Sequence, residues 1–310
     1  MISRSLVKVD SERKKALYPL RAKAFHGKLT EEEYVRRNHH IYETVFAREN
    51  IHTYALVGEN GDILSSCELL DVDFTFRAEQ GISTSKGAMI AAVVTPEEHR
   101  GAGHCTFLLN EVFKERGDEN RLLFSDIDPA FYARMGFVLG QTQEWQVASR
   151  GASKKIGGVP ISIAELAGKL SRHRKQILET SPVGSVVLTP SAHLLEWHVE
   201  RYRFYDRMRN KRTSGDVAYE IQHCEGQSHL FFGIANYITG LFDCLWLEKD
   251  CSQCFDFALS KATASGLMEI TLWSPTPPPG GKDPHPEKPM LRFIDLRTPL
   301  LLDAQPCDYW

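Results

Sequence analysis

The 310-residue chain has no run of eighteen apolar residues, so no membrane span is expected. Its opening residues, Met-Ile-Ser-Arg-Ser-Leu-Val-Lys, lack the apolar stretch of a secretory signal, and a cytoplasmic location is the expectation. Seven cysteines in a chain of this length do not make a disulfide framework. The close pair Cys251 and Cys254 lies in a helical-looking segment, and no two further ligands stand at zinc spacing. Buried small side chains are expected there, and no metal. An excess of either charge is also lacking: the net charge of −3 gives no support for a nucleic-acid partner. What is present is ordinary globular composition, 42% apolar and 25% charged, in a chain long enough for two domains.

The most informative stretch is Thr95-Pro-Glu-Glu-His-Arg-Gly-Ala-Gly103. It follows an apolar run, Met89 to Val94, that reads as a buried strand. It precedes Cys105 to Lys114, whose apolar spacing reads as a helix. A strand, a tight glycine turn and a helix together make a phosphate cradle. Small residues admit the ligand to the backbone, and the first N–H groups of the helix lack internal partners. Two nucleotide motifs are excluded by missing residues. The third glycine of a Rossmann fingerprint is absent after Gly103, and so is the Gly-Lys-Ser/Thr of a P-loop.

What remains, Arg100-Gly-Ala-Gly103-His-Cys105, is similar to the pyrophosphate-binding turn of the GNAT acetyltransferases, with Cys105 where Gly or Ala is usual. A second match follows in order: an apolar strand, Leu122 to Asp126, then Asp128-Pro-Ala-Phe-Tyr132-Ala-Arg-Met-Gly-Phe137. Asp128 suits an N-cap, Pro129 the first helical position and Gly136 the helix end. GNAT proteins carry a similar Phe-Tyr-x-x-x-Gly-Phe segment beside the coenzyme A sulfur. The resemblance implies acetyl-CoA as cosubstrate. Its pyrophosphate would lie on Arg100, Gly101, Ala102, Gly103, His104 and Cys105, and its pantetheine would pair with the strand at Val93 and Val94.

Before the turn, the spacing predicts a strand at Leu6–Val9 and a helix from Ser11 to Phe25. A second helix opens with a Thr30–Glu33 capping box and runs to about Phe46. A hairpin is expected around Asn60-Gly61. This order implies an α/β fold with a mixed sheet, a GNAT domain over residues 1–149. A Gly- and Lys-rich linker near 150–160 leads to a smaller C-terminal α/β domain over residues 160–310, a degenerate GNAT-like unit contributing to the acceptor site. That second unit is expected to hold helices at 162–180 and 194–209, strands at 229–237 and 241–248, a helix at 251–264 and a strand at 267–273. The chain is expected to be a monomer or a homodimer.

Several segments also resemble the fungal lysine N6-acetyltransferase family: Ile63-Leu-Ser-Ser-Cys-Glu68, Thr95 to Gly101, Phe124-Ser-Asp-Ile127 with Phe131-Tyr132, and Glu196-Trp-His-Val-Glu-Arg201 with Phe204. Phe137 stands where that family carries Trp. The resemblance implies direct acetyl transfer to a small amine, with the N6 amine of L-lysine first. Another amino acid, a polyamine, a protein lysine, or a non-catalytic coenzyme A sensor are the alternatives.

A lysine-type amine has a pKa of about 10.4, so only about one molecule in a thousand is nucleophilic near neutrality. A carboxylate that takes its proton is therefore sought. Glu68 and Asp126 are the candidates, each ending a predicted strand, and the other reading of Glu68 is an outward residue on an alternating strand. Tyr132 matches the GNAT tyrosine that protonates the leaving thiolate, or it anchors the short helix as an aromatic. His104 and Cys105 are not read as base and nucleophile, because adjacent helical residues point about 100° apart. Candidate acceptor residues are Tyr34 on the second helix and Trp197, His198 and Arg201 on a later one. Trp197 and Arg201 share a face, where Arg201 clamps a substrate carboxylate or forms an interdomain salt bridge.

Overall fold

The computed structural model describes residues 4–117, 120–125, 129–139, 143–149, 156–211, 215–222, 228–247, 251–274, 277–278, 280–282, 291–295 and 300–301. The chain begins with strand β1 (Arg4–Val9), helices α1 (Ser11–Phe25), α2 (Glu31–Ile41) and α3 (Val45–Asn50), and strands β2 (Ile51–Gly58), β3 (Ile63–Ala78) and β4 (Gly81–Val94). Next come α4 (His104–Arg116), β5 (Asn120–Ser125), α5 (Pro129–Ala133), β6 (Val138–Leu139) and β7 (Gln143–Ala148). The second half supplies β8 (Val159–Pro160), α6 (Ile163–Thr180), β9 (Ser185–Thr189), α7 (Ala192–Met208), β10 (Ala218–Gln222), β11 (Ser228–Asn236) and β12 (Leu241–Leu247). It closes with α8 (Ser252–Ala264), β13 (Glu269–Ser274), β14 (Leu291–Asp295) and β15 (Leu300–Leu301).

Local chemistry sets the helix boundaries. The Asp10 carboxylate accepts from the Arg13 N–H and caps α1, which starts at Ser11 as expected. Thr30 and Glu33 form the expected capping box at the start of α2. The helix expected to run to Phe46 instead breaks. Thr44 donates its hydroxyl to the Ile41 carbonyl at 2.7 Å and accepts from the Ala47 N–H, which ends α2 and caps α3. The hairpin at Asn60-Gly61 joins β2 to β3, with Gly61 at φ +84. A further hairpin joins β3 to β4 beyond Ala78 and extends β3 through the alternating stretch Asp71 to Arg77.

Two mixed sheets result. The first has nine strands in the order β1-β2-β3-β4-β5-β14-β6, with β9 paired to the distal half of β3 and β15 to β9. The second runs β7-β13-β12-β11-β10-β8. The sheets are not consecutive blocks of sequence. Strand β7 pairs with β13 from Glu269↔Ala148 to Ser274↔Gln143, because Val147 buries against Ile270 and Leu272 there. Strand β14 returns to the first sheet between β5 and β6.

The apolar faces stack in five layers. Helix α4 covers one face of the first sheet through Leu108, Leu109 and Val112 against Tyr54, Leu56 and Leu69. On the other face, Tyr18, Ile41, Phe46 and Trp197 pack on Leu70, Phe74 and Met89. The opposite side of α7, with Leu195, Val199 and Tyr202, joins α6 against Phe232 and Trp246 of the second sheet. Helix α8 closes the far side through Phe257 and Ala258. Helix α7 is thus held between two sheets, which requires it to be apolar on two sides.

Candidate active site

The turn after β4 has the conformation its glycines permit. Gly101 and Gly103 lie at φ +78 and +73, a region that costs an L-residue about 1–2 kcal/mol. Gly103 caps α4 without any side-chain bond, and a Cβ built on either glycine meets no atom within 4 Å. Open space therefore lies over the first N–H groups of a thirteen-residue helix, the arrangement that suits a phosphate. Around it stand Arg100, whose Nε donates to the Thr95 carbonyl at 3.3 Å, and His104, whose Nδ1 lies 3.3 Å from Nη1 of Arg4. Burial, and then the charge of Arg4, hold the His104 imidazole below its usual pKa.

The strand before the turn carries a bulge. Ser66 faces Val94 and Glu68 faces Ala91, so β4 has one residue more than β3 across this interval. Ala92 takes it up at φ +48. The parallel ladder between β4 and β5 runs from Gly87↔Asn120 to Ile90↔Leu123 and stops there. Beyond it, Ala91, Ala92 and Val93 on one strand and Phe124 and Ser125 on the other line opposite walls of one cavity of about 630 Å3. The size falls within the usual range of small-molecule sites.

That cavity joins the two sets of residues expected to act together. From the glycine-turn side it is lined by Val93, Cys105 and Tyr132, and from the helical side by Tyr34, Arg37, Trp197 and Arg201. Tyr132 is 4% exposed and stands edge-on to Phe131 and Phe137, at centroid distances of 5.0 and 5.7 Å. Burial pushes the Cys105 thiol up to about 12, so it stays protonated near neutrality and is a poor nucleophile. The Arg201 guanidinium lies over the rings of Trp197 and Tyr202, at 5.6 and 5.3 Å. Arg37 lies over Tyr34 at 4.2 Å and donates to Asn38 and to the Tyr205 hydroxyl.

Glu68 sits elsewhere. It is fully buried, and no residue of β3 lines the cavity among the described residues. Its carboxylate accepts from Arg21 and the Tyr42 hydroxyl, and from Thr53 at 3.1 Å, with Lys14 at 3.6 Å. Burial alone would raise its pKa, but Arg21, Lys14 and the Tyr42 hydroxyl outweigh burial and hold it below the ordinary glutamate value. Burial draws Lys14 down to about 8 in spite of Glu68. The cluster ties α1 and the C-terminal end of α2 to β3.

Other expected residues divide between cavity and core. His198 is fully buried, edge-on to Trp197 at 5.1 Å, and is not among the cavity's lining residues. One helical step turns it about 100° from Trp197. Val94 accepts from Ser65 through its carbonyl and does not line the cavity, although Val93 and Thr95 on either side of it do. Ala102 is exposed on the turn. Asp126 and Asp128 lie outside the described residues. Arg37 was missed, although it stands three residues after Tyr34 on the same helical face. Among the described residues, no group of three or more His, Cys, Asp or Glu is placed to hold a metal, and no helix is long and apolar enough to cross a membrane.

Comparison with known proteins bears on this geometry. Residues 7–140 match the family model described as Acetyltransferase (GNAT) domain. No curated protein matches the chain. Among solved structures, the chain is similar to a probable N-acyltransferase from Enterococcus faecalis V583, with TM-score 0.56 and 16% identity over 96% of this chain and 74% of that one. It is also similar to GCN5-related N-acetyltransferases from Kribbella flavida (TM-score 0.56, 14% identity, 94% and 70% of the two chains) and Anabaena variabilis ATCC 29413 (0.55, 12%, 94% and 72%). At these identities the likeness is one of fold, and it extends through the second sheet. Residues 7–140 thus match a GNAT acetyltransferase domain, and the fold of the whole chain is similar to that of these N-acyltransferase structures.

Proposed function

We propose that the protein transfers an acetyl group from acetyl-CoA directly to the amine of a small acceptor, with the N6 amine of free L-lysine as first choice. The observation that carries this reading is the single cavity lined by Val93 and Tyr132 on one side and by Tyr34, Arg37, Trp197 and Arg201 on the other. The glycine turn holds the pyrophosphate on the first N–H groups of α4. The edge of β4 beyond Ile90 takes the pantetheine as a further strand would be taken, and the Val93 N–H stabilises the carbonyl oxygen as charge develops.

Tyr132 donates a proton to the leaving thiolate, whose pKa of about 8.5 by analogy with cysteine makes a donor useful. Bringing a lysine-type amine to its neutral form costs about 4 kcal/mol near neutrality. Glu68 is occupied by four partners in the core. The proton therefore goes to Asp126, which follows the cavity residue Ser125 in sequence, directly or through water. The high pKa of Cys105 supports direct transfer over an acyl-enzyme.

Arg37 and Arg201 at the acceptor end favour an amine that also bears a carboxylate, and they disfavour a polyamine. The test is release of free thiol from acetyl-CoA against a panel of amino acids, polyamines and lysine peptides, with mass spectrometry of the products. Acetyl-lysine formed in preference to acetylated polyamine supports the reading. Tight acetyl-CoA binding with no thiol released by any amine favours a coenzyme A sensor instead.

A further inference from the structure

The transfer steps leave several buried acids unused, and one of them links the two sides of the cavity. Asp243, on β12 of the second sheet, is 9% exposed. Its Oδ2 accepts from the Tyr202 hydroxyl at 2.7 Å and from the Asn236 side-chain amide at 2.9 Å. A carboxylate among apolar sheet residues is costly unless its lone pairs are satisfied, so both donors are held firmly.

Each donor leads to a different wall of the cavity. Tyr202 belongs to α7, and its ring carries the Arg201 guanidinium at 5.3 Å. Arg201 and its neighbour Trp197 line the acceptor end. Asn236 uses its other polar atom, Oδ1, to accept from the backbone N–H groups of Ile238 and Thr239 at 3.1 and 3.2 Å, which fixes the turn between β11 and β12. The carbonyl of Thr239 in that turn accepts from Nζ of Lys28 at 2.8 Å. Lys28 follows Gly27, a cavity residue in the connection between α1 and α2. One carboxylate is thus the common anchor of two hydrogen-bonded paths, one ending on α7 and the other on the α1–α2 connection.

We propose that Asp243 is a positioning residue for the acceptor: by holding Tyr202 and Asn236 together it fixes the Arg201 face of α7 against the α1–α2 connection and sets the width of the acceptor end. This rests on the reading of the cavity as the site of acetyl transfer. It also assigns the second sheet a part in the reaction. Burial raises the Asp243 carboxyl to about 6, which accords with an acid held by neutral donors.

The experiment is steady-state kinetics of Asp243→Asn, Tyr202→Phe and Lys28→Met with the preferred amine, alongside thermal unfolding. Lys28 is on the surface, so its variant tests the same link if the other two fail to fold. The expected result is a rise of about tenfold in the acceptor KM for Asp243→Asn and Tyr202→Phe, and a smaller rise for Lys28→Met, with the acetyl-CoA KM unchanged. The double variant Asp243→Asn, Tyr202→Phe should be no worse than either single one, because both remove the same link. An unchanged acceptor KM in folded variants, or an equal rise in both KM values, overturns the proposal while leaving the transfer activity standing. No transfer by the wild-type protein to any amine would overturn both.

Discussion

Arg21 of α1 and Glu68 of β3 form an ion pair in which neither side chain reaches solvent. Such a pair contributes little against an apolar substitute, but removing one partner strands the other charge in the core. Glu68→Gln should therefore lower unfolding stability by about 3–5 kcal/mol, read from urea denaturation. The pH dependence has a definite sign. A carboxylate whose folded pKa is depressed contributes stability above its unfolded value of about 4.3, and that contribution is lost as pH falls through the lower folded value. The wild-type thermal midpoint should drop in that acid window. Glu68→Gln should flatten this part of the curve, and an unaltered acid limb would refute the assignment.

Tyr132→Phe keeps the ring that packs against Phe131 and Phe137 and removes only the hydroxyl. A general acid is worth about 10²–10⁴ in rate. The variant should lose at least about a hundredfold in kcat, with little change in the acetyl-CoA KM. Equal turnover in the two proteins would make Tyr132 a packing residue.

Gly103 combines a left-handed backbone with open space over the helix N-terminus. Gly103→Glu adds strain of about 1–2 kcal/mol and brings a negative charge to the proposed phosphate position. Acetyl-CoA binding, followed by calorimetry, should weaken at least tenfold (about 1.4 kcal/mol), and Gly103→Ala should fall between. Unweakened binding in the glutamate variant would place the pyrophosphate elsewhere.

Arg201 lies over two aromatic rings and lines the cavity. If it holds a substrate carboxylate, Arg201→Gln should raise the lysine KM by roughly 10–100-fold, from the 1.5–3 kcal/mol of a charged hydrogen bond. The wild type should also prefer lysine to cadaverine, which lacks the carboxylate, and the variant should lose that preference. A preference that survives the substitution would leave Arg37 as the sole anchor.

Cys105 lines the same cavity with its thiol pushed up to about 12. Cys105→Ala should keep most of the turnover, and the thiol should resist alkylation at pH 8. Loss of activity together with an acetylated Cys105 in the wild type would revive a covalent route.

The features legible in the sequence are those made by neighbouring residues. The extent of α1, the Thr30–Glu33 box and the glycine turn each depend on a few adjacent side chains, and each was read near its observed place. The break at Tyr42–Thr44 was missed because Thr44 competes for the Ile41 carbonyl, a choice that helical periodicity does not register. Glu68 looked like a base because it ends a predicted strand; its partners come from α1, α2 and β2, which only the folded chain assembles. His198 was grouped with Trp197 by adjacency, although a helix turns adjacent residues to different faces. The exchange of β7 and β14 between the sheets left no local mark at all.

That exchange governs when the fold can be completed. Strand β5 emerges from the ribosome long before β14, yet β14 fills the place between β5 and β6. Until residues 291–295 are made, β5 waits with one edge open, a template for pairing with another chain. Closing so long a loop late favours slow folding. Vectorial synthesis therefore leaves a window in which the edge of β5 beside the cavity is unpaired.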